Sequence, residues 1–169
     1  TGASNVAVGY GALTTDDVGQ HNVAIGRDAL SAQNIATSAN TYNTAVGSQA
    51  GLSVTTGVEN TLIGGAAGDA LTSSNDNTAV GYRALGSATT GNENTAIGHT
   101  ALYTNILSDR NVAVGVDALA IHNQATTTDS YNTALGYSAG YAVTTGVQNT
   151  IIGGLAGDAF TDADYNVAV

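Results

Sequence analysis

Carboxylates and imidazoles are the main chemistry-bearing groups of this 169-residue chain, which has 13 Asp and Glu, 3 His and 3 Arg but no Lys, Cys, Met, Trp or Pro. Thiolate catalysis, thiolate metal sites and disulfides are therefore excluded. The densest acidic groups are Asp16-Asp17 and Asp162-Ala163-Asp164, which offer the oxygen donors that hard cations take. Read alone, they are expected at turn corners facing water. Gly64-Gly65-Ala66-Ala67-Gly68-Asp69-Ala70-Leu71 and Gly153-Gly154-Leu155-Ala156-Gly157-Asp158-Ala159-Phe160 partly match a calcium-holding nonapeptide. Ala67 and Ala156 stand where that pattern takes Gly, and the motif recurs once per 89 residues rather than consecutively. A turn Asp bonding nearby backbone is the simpler reading. No Lys is present to complete a phosphate loop. His21, His99 and His122 are expected at the surface, where only a symmetric assembly could gather copies on an axis. Neither a Ser-His-Asp arrangement nor a pocket for paired carboxylates is expected. These readings predict no catalytic residue, no cofactor and no metal.

The formal net charge of −10 argues against a nucleic-acid partner, since phosphates need cationic neutralisation. No apolar run approaches the roughly 18 residues of a membrane span. Of the apolar residues 29 are Ala, whereas Leu, Ile, Val and Phe total 35, near the level at which chains stay disordered. Only a strict pattern in those few aliphatics would support a fold.

That pattern is a phrase, Asn-[Thr/Val]-[Ala/Leu/Ile]-[Val/Ile/Leu]-Gly-x-x-Ala-[Leu/Gly], opening at Asn5, Asn22, Asn43, Asn60, Asn77, Asn94, Asn111, Asn132 and Asn149 and again, truncated, at Asn166. Successive spacings are 17, 21, 17, 17, 17, 17, 21, 17 and 17, so the sequence closes on an 89-residue super-repeat of five units, and residues 43–80 match 132–169 at 24 of 38 positions. Regular periods of this length predict a solenoid whose coils bury their apolar faces only by stacking. Gly, Thr and Asn at fixed places, without a 3.6-residue apolar period, predict β-coils. Residues 1–169 thus read as one all-β, parallel β-solenoid segment of a longer fibre. Stacked about 4.8 Å apart, the ten Asn are expected to form an amide ladder. The four extra residues of each long unit, within 33–42 and 122–131, are expected to bulge outward. Tyr42 and Tyr131, which end those units, are candidates either for surface contact or for packing over the adjacent coil.

Alternation within the phrase puts Val6 and Val8 on one side and Ala7 and Gly9 on the other, and no copy carries a charge at these positions. Both sides therefore read as buried. A coil has one lumen, so the second side calls for a lateral partner, most simply another copy of the chain. Thr44, Thr61, Thr78 and Thr95 share their parity with aliphatics expected to be core, which counts against an ice-binding array.

The phrases Asn5-Val6-Ala7-Val8-Gly9, Asn22-Val23-Ala24-Ile25-Gly26 and Asn94-Thr95-Ala96-Ile97-Gly98 resemble the head repeats of YadA-like trimeric autotransporter adhesins and, more closely, the shafts of bacteriophage tail fibres. The resemblance implies a left-handed β-roll, a homotrimer, and a virion or extracellular location. It also implies a structural role: the shaft spaces a tip that meets a host-surface receptor or glycan. Adhesin heads, which bind host surfaces directly, are the first alternative, and an ice-binding solenoid is the second. A depolymerase would need an aromatic and carboxylate groove, which is not expected in this segment.

Overall fold

A computed structural model describes residues 2–169 and contains strands and turns but no helix. Ten short strands open the ten repeats: β1 (Val6–Val8), β3 (Val23–Ile25), β5 (Thr44–Val46), β6 (Thr61–Ile63), β7 (Thr78–Val80), β8 (Thr95–Ile97), β10 (Val112–Val114), β12 (Thr133–Leu135), β13 (Thr150–Ile152) and β14 (Val167–Ala168). They form one parallel ten-stranded sheet in sequence order, each strand in phrase-to-phrase register with the next. The architecture is a parallel β-solenoid. A second strand per coil occurs only in each long unit and the 17-residue unit before it, where β2 (Gly19–Gln20) pairs with β4 (Ala39–Asn40) and β9 (Ser108–Asp109) with β11 (Thr128–Asp129). Elsewhere tight turns complete the coil.

Those turns rest on left-handed residues repeated at fixed phases. The residue before each Asn has positive φ in every coil, for example 60° at Glu59, 56° at Glu93 and 60° at Arg110. Non-Gly residues there cost roughly 1–2 kcal/mol each, which the bonds between stacked coils offset. The Gly closing each phrase is different. Gly98 has φ 139°, and a Cβ on it would lie 2.3 Å from the carbonyl oxygen of Gly115 in the next coil. Only glycine fits that conformation and that approach.

The lumen takes the middle residue of each strand. Ala24, Ala45, Leu62, Ala79, Ala96, Ala113, Ala134 and Ile151 are buried. Two further inward positions complement one another in volume. Coils with Leu at the ninth residue, such as Leu85, Leu102 and Leu119, carry Ala88, Asn105 and His122 three residues on; coils with Gly there carry Val54, Leu71, Val143 and Phe160. A Cβ on Gly51 would meet Leu62 at 2.8 Å and Leu30 at 2.9 Å, so the glycine makes room for side chains from neighbouring coils. In the 17-residue coils the thin, close-packed core pairs a large residue at one of these positions with a smaller one at the other, whereas the 21-residue coils bury two large ones, Leu30 with Gln33 and Leu119 with His122.

Candidate functional site

The ten phrase-opening asparagines form a continuous ladder. Each Oδ1 accepts the backbone N–H of the next Asn: the N–H of Asn22 donates to Asn5 at 2.8 Å, that of Asn77 to Asn60 at 3.1 Å, that of Asn111 to Asn94 at 3.0 Å and that of Asn166 to Asn149 at 2.9 Å. Most Nδ2 groups donate to the carbonyl fourteen residues ahead, as Asn43 does to Gly57 at 2.7 Å and Asn132 to Gly146 at 2.8 Å. Asn22 and Asn111, which open the 21-residue units, depart from this. Their amides go to the Asp16 carboxylate at 3.3 Å and the Asp109 carbonyl at 3.1 Å. The longer path displaces the carbonyl that shorter coils provide. Buried amides so fully bonded stabilise the stack without an exposed polar surface.

A second ladder was not anticipated. Two residues before the phrase, Asn75, Asn92, Asp109 and Asp164 accept the backbone N–H of Val58, Asn75, Asn92 and Val147 at 2.6–2.9 Å. Its signal is an Asx two places ahead of the ladder Asn, as in Asn75-Asp76-Asn77 and Asp109-Arg110-Asn111. Burial and the nearby Asp129 raise the pKa of Asp109, the burial effect being the larger.

Tyr42 and Tyr131 are half-exposed and lie over the preceding coil. The Tyr42 ring stacks on His21 with centroids 5.2 Å apart, and Tyr131 lies under the Arg110 guanidinium at 5.8 Å. Arg110 also donates to Glu93 at 3.0 Å and pairs with Asp129, holding the Glu93 carboxyl below its ordinary range.

Several expectations are corrected. His122 is fully buried in the lumen, because the long unit sends its first residues inward and only the rest, such as residues 125–127, outward. His21 and His99 are exposed, as read. Asp16 is only partly exposed and its carboxylate is bonded within the coil: it accepts from the Gly19 N–H at 2.8 Å and the Gln33 amide at 3.4 Å. Asp69 is partly buried, which raises its pKa, whereas Asp158 is exposed; at the same phase five coils apart, they are separated by about 24 Å of stacking. They cannot share an ion. Among the described residues no three His, Asp or Glu converge as a metal cluster.

The parity reading also changes. Thr44, Thr61, Thr78 and Thr95 point outward together with Val46, Ile63, Val80 and Ile97, while the Ala side faces the lumen. In the single chain this outer stripe is partly open; Ile63 keeps 39% of its surface exposed. Nor is the segment without a cavity: one of about 380 Å³, lined by Tyr and Asp side chains, opens on the flank of the later coils.

Compared with known proteins, the chain matches no family model, no curated protein and no solved structure. The geometry is thus the basis for function. It contains a long apolar stripe and two polar ladders.

Proposed function

We propose that this chain is a structural shaft segment of a bacteriophage tail fibre or similar virion or extracellular appendage, spacing a receptor-binding tip from the particle. One observation carries the reading. Val8, Ile25, Val46, Ile63, Val80, Ile97, Val114, Leu135 and Ile152 line up in strand register on the outward face, an uncharged stripe about 40 Å long at the spacing of parallel strands. Soluble monomers rarely leave so extended an apolar patch open, and such patches mark association surfaces. Parallel copies around a common axis cover it, and the tail-fibre resemblance favours three. Axial stiffness comes from the ladders, solubility from the net charge of −10. The role is non-enzymatic, and contact with a host receptor or glycan belongs to the wider fibre. The double variant Ile63→Lys/Ile97→Lys tests this: it should dissociate the assembly while leaving the β circular dichroism in place. Unchanged mass would contradict the reading.

A second reading draws on the outward Thr ladder of Thr44, Thr61, Thr78 and Thr95, spaced by strand pairing. Such a lattice suits ice binding, although Val6, Val23, Val112 and Val167 replace Thr in other coils. Thermal hysteresis by the unassembled chain would favour it; none would dismiss it.

A further inference from the structure

Past Gly136 and Gly153 the chain turns away from the outward stripe. There the cavity of about 380 Å³ is lined by Asp117, Tyr137, Ser138, Tyr141, Leu155 and Asp158, contributed by three successive coils. Tyr137 and Tyr141 leave 59% and 44% of their surfaces exposed, and Ser138 lies at the floor, nearly buried. Asp117 accepts a bond from the Thr100 hydroxyl. Neither it nor Asp158 has a cationic partner; the Arg–carboxylate pairs of the described residues use Asp28, Glu93 and Asp129. Two carboxylates and two aromatic rings thus border a gap with no positive charge in it.

The same flank shows, three repeats earlier, what such a gap holds. The Arg83 guanidinium carbon sits 5.6 Å from the Tyr82 ring centroid and 6.0 Å from that of Tyr103. Tyr82 and Tyr137 both follow the phrase Gly, and Tyr103 and Tyr141 both occupy the tenth residue of a coil, Tyr103 one coil further on. Arg83 and Ser138 share the seventh place and nearly the same backbone, with φ 55° and 51°. Where the earlier coil supplies its own cation, the later one has a serine. The matching place in the first super-repeat has Ser48 and Leu52 instead of the two tyrosines, so the aromatic walls are peculiar to this copy.

We infer that this cavity is a binding site for an organic cation, a guanidinium or alkylammonium group, held against Tyr137 and Tyr141 and neutralised by Asp117 and Asp158. Ring faces attract cations through their quadrupole, more strongly where water is partly displaced. Carboxylates beside the rings add charge and hydrogen-bond acceptance. A neutral sugar would stack on the rings but leave both charges unanswered.

The test is an NMR titration of the tyrosine ring signals with agmatine, against methyl glucoside as the neutral probe. Agmatine should shift Tyr137 and Tyr141 saturably while Tyr10 and Tyr165 stay fixed, and Asp158→Asn should weaken binding by about three- to tenfold, the scale of one partly exposed charge contact. Ser138→Arg, which adopts a backbone the chain already uses for Arg83, should abolish saturation without altering circular dichroism. The inference is overturned if methyl glucoside saturates those signals at lower concentration than agmatine, or if agmatine moves every exposed tyrosine alike, as diffuse attraction to an acidic chain would. It is also overturned if Ser138→Arg folds and still binds as the parent does.

Discussion

The two 21-residue coils, opening at Asn22 and Asn111, follow one backbone plan and fill it differently. In the first, Gln33 enters the lumen and is bonded at both ends of its amide: Nε2 donates to Thr41 Oγ1 at 3.1 Å and to Asp16 at 3.4 Å, and Oε1 accepts from Asn43 Nδ2 at 3.0 Å. In the second, His122 takes the same place and neither ring nitrogen has a partner. Asn105, which stands where Asp16 stands, spends its amide on the Ser108 backbone at 3.0 and 3.1 Å, and the Ser108 hydroxyl is also unpaired. The coil length is therefore set by the backbone and its ladders, whereas the polar plug inside can be well or poorly satisfied. Burial lowers the His122 pKa to about 4, against a smaller opposing effect of the nearby Thr144 backbone.

The largest effect that would break this contrast is Gln33→Ala. It opens a cavity and removes one hydrogen bond each from Asn43 and Thr41, which keep Gly57 and Asn22 as partners, and should cost about 3 kcal/mol in urea unfolding. Next comes acid. The folded pKa of His122 lies below its unfolded value of 6.5, so the unfolded chain takes up the proton first. Its stability contribution is complete above pH 6.5 and is lost as pH falls toward 4, by about 3 kcal/mol at most. Urea midpoints at pH 7 and pH 4.5 should differ accordingly, and His122→Gln should remove that part of the slope. At pH 7 the same variant transplants the first coil's solution, placing an amide within reach of Ser130 and Asn132, and should raise stability by about 1 kcal/mol. A fall in stability would mean that the imidazole is better accommodated than its missing bonds suggest. Smallest is Tyr131→Ala, which removes a ring under Arg110 at an exposed site and should cost about 0.5 kcal/mol, less at high salt. Tyr42→Ala, which unstacks a ring from His21, should show no such salt dependence.

These coils also show what was readable beforehand. The solenoid and its Asn ladder were legible because the same residue recurs at each phase, and Gly at the phrase end announced a position no side chain could occupy. The fate of the extra residues was not. Residues 33 and 122 both turn into the lumen although each follows a buried Leu three places earlier, Leu30 and Leu119, and no local pattern encodes that. Likewise two apolar parities told that both faces avoid charge, but not that the Ala side is the lumen and the Thr side the outside. The Tyr137 cavity draws on residues from 117 to 158, a juxtaposition set by coil phase alone.

We propose that the outward stripe from Val8 to Ile152 is an interface between copies of the chain. Sedimentation equilibrium on the purified segment tests this most directly: a folded species at three times the 16.7 kDa chain mass is predicted. A stable, folded particle of 16.7 kDa, with those Val and Ile side chains in water, would contradict it.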